Sequence, residues 1–475
     1  MARVLFCQLS SYELNSFQIL SAVLKKAGHE TDVFSLAFDS FQKLYQLIES
    51  WQPDIIGFTV TSMDYKKALD VAKELKRCAP KKIHISIGGP HAIISPKDLI
   101  VHPHVDSVCV CEGEYILMEL ADALDSNGNI DGIQGLWTRQ YGTINQSPPR
   151  ALIKDMGELP LDDKDLYFKR YPLLAQSPFK IFTVSRGCPY RCAYCTNHHF
   201  RKLLPGKHLR YRPVQQVIQE IKNVQREYPL KYVMFRSDTF TAQRRWCHEL
   251  LKEYKDKIHL PFYAQTVLNT LSESLVDALS DAGMAHLIFA IESGNERIRQ
   301  DILRRPKITN ERMLELAQLV RNKGIKITTQ EMFALPTETL DDAFLTLELN
   351  IKMRARMTAT ILHPYANTDI TKHYDDPTIN VDNLSHFAGE TILKGKDVPR
   401  IVTLQRFCGW LAILPWNIYK PLKPVIRALT RIPDNFIFRF FSNLNYFFVQ
   451  KRMTNKSCSF LFFLRYGYFA RKSFD

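Results

Sequence analysis

Three thiols stand close together in this chain, Cys188, Cys192 and Cys195, in the run Ser185-Arg186-Gly187-Cys188-Pro189-Tyr190-Arg191-Cys192-Ala193-Tyr194-Cys195. The C-x3-C-x2-C spacing suits an iron–sulfur cluster. Four thiolates would saturate a [4Fe–4S] cube, whereas three leave one iron open to a small molecule. The same thiols with His198 or His199 also make a Cys3His set of the kind that holds zinc. Three cysteines in so short a run can also arise by chance. The surroundings separate these readings: residues 181–184, apolar and β-branched or aromatic, read as a strand. The cysteines then sit on a loop at a strand's carboxyl end, where α/β folds gather their chemistry.

That loop needs a scaffold, and the chain supplies one. Residues 181–395 offer six strands, at 181–184, 232–235, 262–266, 287–291, 326–333 and 359–362, with helical periodicity between them, clearest at Val214, Val217, Ile218, Ile221 and Val224. Residues 1–137 alternate in the same way, with strands expected at 4–7, 31–34, 55–60, 83–87 and 108–110. Such alternation implies a parallel, doubly wound sheet, whose ligands bind beyond the carboxyl ends of the strands near the point where strand order reverses. The loops there are residues 8–15, Thr61-Ser62-Met63, Gly88-Gly89-Pro90-His91 and Glu112-Gly113-Glu114. Gly88-Gly89 equally reads as a tight strand-to-helix turn. Residues 138–180, with Ser147-Pro148-Pro149 and Glu158-Leu159-Pro160, are expected as a linker between the two domains.

With these elements in place, the cysteine array resembles the radical S-adenosylmethionine (SAM) enzymes, in which the amino and carboxylate groups of SAM chelate the open iron. Tyr194 matches the family's aromatic residue before the third cysteine, and Arg236-Ser237-Asp238 falls at the end of the next strand, where the family makes polar contacts to SAM. The run from Ala290 to Arg297, A-I-E-S-G-N-E-R, looks like the family's G-x-E-S-G-x-E-R strand end. The run from Glu331 to Thr339, E-M-F-A-L-P-T-E-T, is similar to its F-I-I-G-L-P-G-E-T segment. The resemblance implies a (β/α)6 partial barrel, a [4Fe–4S] cluster on the three cysteines, and SAM contacts from Tyr194, Ser237, Asp238, Glu292, Ser293 and Gln330. Ala334 and Thr337 depart from the family's glycines, Asn367 stands in its P-G-T-like turn, and Val267 takes the place of a frequent arginine. Glycine at such turns permits positive φ.

The first domain resembles the cobalamin-binding domain fused ahead of the radical SAM domain in one large subfamily, a likeness covering roughly residues 1–395. It implies cobalamin contacts at Thr61, Ser62, Gly88, Gly89, Glu112 and Gly113. The D-x-H-x-x-G motif that supplies a histidine to cobalt is absent from residues 8–15. Either cobalamin binds without a protein imidazole, with no axial role for His91, or the domain has kept its fold and lost the cofactor. The activity implied is reductive cleavage of SAM to a 5′-deoxyadenosyl radical, hydrogen abstraction from an unactivated carbon, and methyl delivery by cobalamin. An external one-electron donor of the flavodoxin or ferredoxin type is required. Two alternatives share most of these residues: a radical SAM enzyme that couples, cyclises or rearranges its substrate, for instance a lipid, and a non-enzymatic zinc- or cluster-bearing binding protein.

Composition fits a large enzyme: 475 residues at 45% hydrophobic content bury more than one core. No apolar run approaches the ~20 residues of a membrane span. The opening Met1–Cys7 reads as a buried strand without a cleavage site, so no signal peptide is expected. Ten cysteines in no framework spacing point to a reducing cytoplasm, and the seven outside the array suggest no second cluster. Residues 396–475 differ in kind. They carry 14 Lys and Arg against three Asp, eleven charges of the chain's net +14, interleaved with aromatics. Such a segment is expected as a basic helical cap on the barrel, as a contact with the anionic inner face of a membrane, or as a single-stranded nucleic-acid surface. The lack of a recognisable RNA-binding module argues against the last.

Overall fold

The computed structural model describes residues 1–79, 81–365, 367–374 and 394–444. They form two compact units, Met1–Ser177 with His199–Gln216, and Pro178–His198 with the described residues from Val217 onward.

In the first unit β1 (Arg3–Gln8), β2 (Glu30–Ser35), β3 (Ile55–Thr59), β4 (His84–Gly88), β5 (Ser107–Cys109), β6 (Leu136–Gln140) and β7 (Thr143–Asn145) make one sheet in the order β2-β1-β3-β4-β5-β6-β7. The first five strands are parallel, and β6 and β7 add to the edge antiparallel. Both faces are covered by helices, which is why these strands are continuous apolar runs and do not alternate. Phe6 stacks on Phe17 of helix Asn15–Lys26 at 4.6 Å, while Leu5 and Cys7 on the opposite face join Ile56, Ile85, Leu44 and Leu75. Truncating fully buried Leu5 to Ala would cost about 2–5 kcal/mol.

The expected linker at 138–180 is largely part of this unit, which corrects the reading from sequence. Thr138 lies within β6, and the β6–β7 hairpin turns through Tyr141 and Gly142, both at positive φ (49° and 83°), as a two-residue hairpin with the sheet's twist requires. Further on, the Leu14 N–H donates to Tyr167 Oη at 3.2 Å, Tyr167 Oη donates to Gln8 Oε1, and the Ser35 N–H donates to Tyr171 Oη at 2.7 Å. These bonds organise the loop after β1 from within the segment. Its weak periodicity hid this, because the ties are buried tyrosine tips and not an apolar stripe.

The second unit begins at β8 (Phe179–Thr183), two residues earlier than expected. The two-residue strands β9 (Ser185–Arg186) and β10 (Arg210–Tyr211) follow in sequence, β10 falling within the first unit. Then come β11 (Tyr232–Arg236), β12 (Phe262–Gln265), β13 (Met284–Phe289), β14 (Lys326–Phe333) and β15 (Arg356–Ile361). The six long strands of the second unit are all parallel and run in the order β8-β11-β12-β13-β14-β15. This is the open (β/α)6 array. Helix Leu340–Met353 opens with a capping box in which Thr339 and Asp342 satisfy each other's backbone N–H groups. Helix Val398–Leu411 packs its buried Ile401, Leu404 and Cys408 on Phe344, Met357 and Ile361, so the start of the C-terminal region is a packed cap. The aromatics from Tyr446 to Phe469 lie outside the described residues. Among the described residues no helix is long and apolar enough to cross a membrane.

Candidate active site

The cysteine loop leaves β8 and is fixed at its centre by backbone. The Ala193 N–H donates to Leu303 O at 2.9 Å and Ala193 O accepts the Ile370 N–H at 3.0 Å, with the Ala193 methyl buried among Ile298, Leu303, Leu335 and Ile370. Ala193 thus anchors the loop to the core through both its backbone and its buried methyl. Cys188 Sγ lies 3.4 Å from Thr239 Oγ1, beyond the end of β11. Burial raises the Cys192 thiol and pushes Cys195 up to about 12, and their neighbouring sulfurs add repulsion. Buried thiols such as Cys192 and Cys195 lose their protons readily to a Lewis-acidic metal, which suits the donor chemistry of an iron–sulfur cluster. Among the described residues no three His, Cys, Asp or Glu side chains converge as on a single ion. His198 turns Nε2 to Asp369 Oδ2 at 3.2 Å, and Asp369 also receives Arg304 Nη1 at 2.9 Å.

Next to the loop lies a buried polar triad. Tyr194 Oη donates to Glu292 Oε1 at 2.7 Å, and Arg305 Nη1 donates to Tyr194 Oη at 2.7 Å and to Glu292 Oε1 at 3.3 Å. Arg305 Nη2 closes the group on Ala290 O at 2.7 Å. Glu292 takes a positive φ of 71°, a conformation that costs an L-residue on the order of 1–2 kcal/mol. What holds it there is Glu331 on β14, whose Oε2 accepts the N–H groups of Glu292 at 2.6 Å and Ile291 at 3.2 Å while Asn350 Nδ2 donates to Oε1 at 3.3 Å. Burial, helped by the Glu292 charge, pushes Glu331 up to about 8 against those donors. Gly294 presses on helix Leu340–Met353: a Cβ there would stand 2.6 Å from the backbone of Leu345 and Thr346. Arg305 lies outside every motif read from the sequence, because it sits in an irregular loop, and Glu331 entered only as the first residue of the Glu331–Thr339 segment, with no role assigned to it.

The other expected SAM contacts divide. Gln330 is exposed on β14, whereas the Asp238 carboxylate, just beyond β11, accepts from the Asn197 side chain and the Gly187 N–H within the cysteine loop, and burial raises its pKa. Ser237 is buried and its hydroxyl bonds Ser185 Oγ at 2.6 Å, joining the loops after β8 and β11. Ser293 is shut from solvent, its hydroxyl accepting the Asn295 N–H at 3.2 Å, so it shapes its own loop.

In the first unit the strand order reverses between β1 and β3, whose carboxyl-end loops carry exposed Tyr12 and Thr61 and no histidine. That is the place where an open α/β sheet takes a flat ligand. Thr61 is partly tied, its N–H donating to Asp64 Oδ1 at 2.6 Å. Ser62 Oγ lies 3.0 Å from His91 Nδ1, and His91 is buried in a stack with Tyr65 at 4.0 Å, so neither points at that crevice as an exposed group. Gly89 is a structural requirement: at φ 99° an added Cβ would stand 2.5 Å from Thr59 Oγ1 and 2.7 Å from Val60 N. Gly88 and Gly113 have only ordinary neighbours at 3.4 Å or beyond. Glu112, expected as a cofactor contact, is otherwise engaged. Arg210 grips it bidentately at 2.8 Å and 2.8 Å, and the Ile153 N–H adds a third bond at 2.8 Å. A carboxylate so saturated at 15% exposure is a brace.

An open (β/α)6 array with a three-thiol loop after its first strand defines a radical SAM-type catalytic domain, here preceded by a doubly wound domain of the kind that binds flat cofactors. Residues 182–349 match the Radical SAM superfamily and residues 12–121 the B12 binding domain, and the chain belongs to the radical SAM proteins that carry a B12-binding domain. Its cofactors are accordingly a [4Fe–4S] cluster, SAM and cobalamin. An uncharacterized methyltransferase of Pyrococcus horikoshii is 28% identical over 74% of this chain and 76% of its own length. Cytidylyl-2-hydroxyethylphosphonate methyltransferase of Streptomyces wedmorensis is 27% identical over 65% of this chain and 66% of its own. Among solved structures, the radical SAM methyltransferase TsrM of Kitasatospora setae with cobalamin and a [4Fe–4S] cluster bound superposes with a TM-score of 0.64 at 18% identity, over 78% of this chain and 74% of that one. That likeness is one of fold.

Proposed function

We propose that this enzyme methylates an unactivated carbon of a small molecule, drawing electrons singly from a flavodoxin- or ferredoxin-type donor. The observation that carries the reading is the pairing, in one chain, of a three-thiol loop at the end of β8 with a sheet whose reversal point offers open loops and no imidazole. When bound, the cluster supplies the electron that cleaves SAM, and cobalamin supplies a methyl carrier. The chain's own residues do the rest. Cys188, Cys192 and Cys195 would hold the cluster, the Tyr194–Glu292–Arg305 triad fixes the loop that carries them, Asp238 braces that loop through the Gly187 N–H, and Gln330 offers an open polar group to orient SAM. His91, engaged with Ser62 and stacked on Tyr65, would take no part in holding cobalamin.

The test is anaerobic reconstitution followed by product analysis. The expected result is 5′-deoxyadenosine under dithionite, lost in the variant Cys188→Ala, Cys192→Ala, Cys195→Ala, with cob(II)alamin on the protein showing no nitrogen splitting from a protein imidazole. Zinc in place of iron with no SAM cleavage would overturn the cluster assignment. Absence of bound cobalamin, or a product without an added methyl group, would shift the reading to a coupling or rearrangement.

A further inference from the structure

Two segments that carry cations grip the cysteine loop by its backbone. Because the Ala193 N–H bonds Leu303 O and Ala193 O accepts the Ile370 N–H, residues 301–307 and 369–374 both lie against the stretch between Cys192 and Cys195. Arg304 and Asp369 are the immediate chain neighbours of the two anchoring residues. Asp369 is only 10% exposed, and three groups share it: Arg304 Nη1 at 2.9 Å, His198 Nε2 at 3.2 Å and Lys372 Nζ at 3.9 Å. One shielded carboxylate thus serves two cations and an imidazole, while the cations themselves reach water at 44% and 74% exposure. The charge is not cancelled. Lys307 on the first segment and Arg191, between Cys188 and Cys192, are exposed as well, and against these four cations Asp301 is the exposed acid of residues 188–198, 301–307 and 369–374. All of these residues belong to the second unit.

What the rim lacks narrows its partner. None of the large apolar side chains exposed elsewhere falls on these three stretches, and none of their Phe, Tyr or Trp side chains is exposed. A stable protein complex has an apolar core, a membrane surface takes inserted apolar groups, and single-stranded nucleic acid stacks its bases on rings. Excess positive charge without such anchors suits a brief encounter steered by charge, as electron-transfer proteins make through small interfaces. Position adds a second argument. Electron transfer falls off steeply with distance, and this rim is set directly against the backbone between two of the three thiols. We propose that Arg191, Arg304, Lys307 and Lys372 form the docking rim for a small acidic redox protein that reduces the cluster on the cysteine loop. One electron leaves the carrier and enters the cluster, with no bond made or broken. This rests on the cluster assignment above and adds the face by which electrons enter.

Binding of the full-chain, cluster-loaded enzyme to immobilised flavodoxin, an acidic FMN protein, is measured at low and high salt. In parallel, 5′-deoxyadenosine formation is driven either by flavodoxin with its reductase or by dithionite. The variant Lys307→Glu, Lys372→Glu should bind flavodoxin at least about tenfold more weakly at low salt, with the difference shrinking as salt rises. Flavodoxin-driven cleavage of SAM should fall with it, whereas dithionite, which needs no docking face, should drive cleavage as before. Should the glutamates disturb folding, Lys307→Gln, Lys372→Gln should show a smaller loss with the same salt dependence. Lys231→Glu, Lys326→Glu makes an equal charge change at the amino ends of β11 and β14, opposite the cysteine loop, and should leave binding and cleavage unaltered. Equal losses from the rim and the opposite-end variants would overturn the docking face, as would rim variants that bind and are reduced like the unaltered enzyme. So would failure of the unaltered enzyme to bind either flavodoxin or an acidic ferredoxin while dithionite drives cleavage. No cleavage by the unaltered enzyme even with dithionite would remove the cluster assignment, and the docking rim with it.

Discussion

The Tyr194 hydroxyl donates to the Glu292 carboxylate at 2.7 Å across 98 positions of sequence. This one bond ties the cysteine loop after β8 to the strained turn after β13, and Arg305 neutralises the pair from the side. The three groups act as a unit, so each depends on the others for its charge and position. Arg305→Met should therefore cost about 3–5 kcal/mol, because it leaves a buried carboxylate unpaired. Adding Glu292→Gln to it should recover part of that loss. Denaturant unfolding of the two single variants and the double variant measures the coupling, and simple additivity would show that no unit exists.

Glu331 gives the protein a pH signature. Its carboxyl rises from an ordinary 4.5 to about 8 in the folded chain, and Glu338, buried beside the Leu335 N–H, also rises to about 8. Between those values the folded state binds more protons than the unfolded, so stability falls as pH rises through the window. Glu331→Gln removes one such group. Its stability relative to the unaltered protein should climb from about pH 5 to pH 8. Urea midpoints that run parallel across that range would refute the assignment.

Thr337 and Ala334 both sit in the left-handed region, at φ 64° and 56°. Thr337 is exposed and β-branched, and its side chain makes one surface contact, from Arg297 Nη2 at 3.1 Å. Thr337→Gly should stabilise by about 0.5–1 kcal/mol, relief of strain outweighing the added freedom of the unfolded chain. Ala334 is fully buried, so Ala334→Gly also forfeits a methyl worth about 0.8 kcal/mol and should be nearly neutral. A thermal-shift ranking with Ala334→Gly above Thr337→Gly would contradict this balance.

Gly89→Ala should unfold the first unit or destabilise it by at least about 3 kcal/mol, since the new Cβ meets Val60 N at 2.7 Å and Val60 O at 2.8 Å while φ stays positive. Circular dichroism and protease resistance report it directly. Native-like melting would mean that the turn can reorganise.

Glu112→Gln tests brace against contact. It weakens the ion pair with Arg210 and should lower the unfolding free energy by about 1–3 kcal/mol. Cobalamin bound per folded chain should not change. A selective loss of cobalamin at unchanged stability would restore Glu112 as a cofactor contact.

The sequence made the strands of both sheets legible because parallel strands buried on two faces are apolar runs, and β14 falls at the expected residues 326–333. The three-thiol loop after β8 was legible from the spacing of its cysteines. What stayed hidden was held by polar groups at irregular places: Arg305 in a loop, the tyrosine tips of Tyr167 and Tyr171, and Arg210 reaching Glu112. A hydrophobic period carries no trace of such bonds. Of the two readings open for Gly89, cofactor loop and tight turn, the close approach of Val60 accounts for the turn, and Gly294 likewise leaves room for the backbone of Leu345 and Thr346.

The seven-stranded sheet ends at β7, three residues long, with Ser147-Pro148-Pro149 just beyond it. Neither proline has an N–H to offer a neighbouring chain, and the exposed border is too short to template one. The sheet thus terminates in a segment that refuses further strands, a safeguard against fibril growth at the margin where an antiparallel hairpin was added to a parallel core.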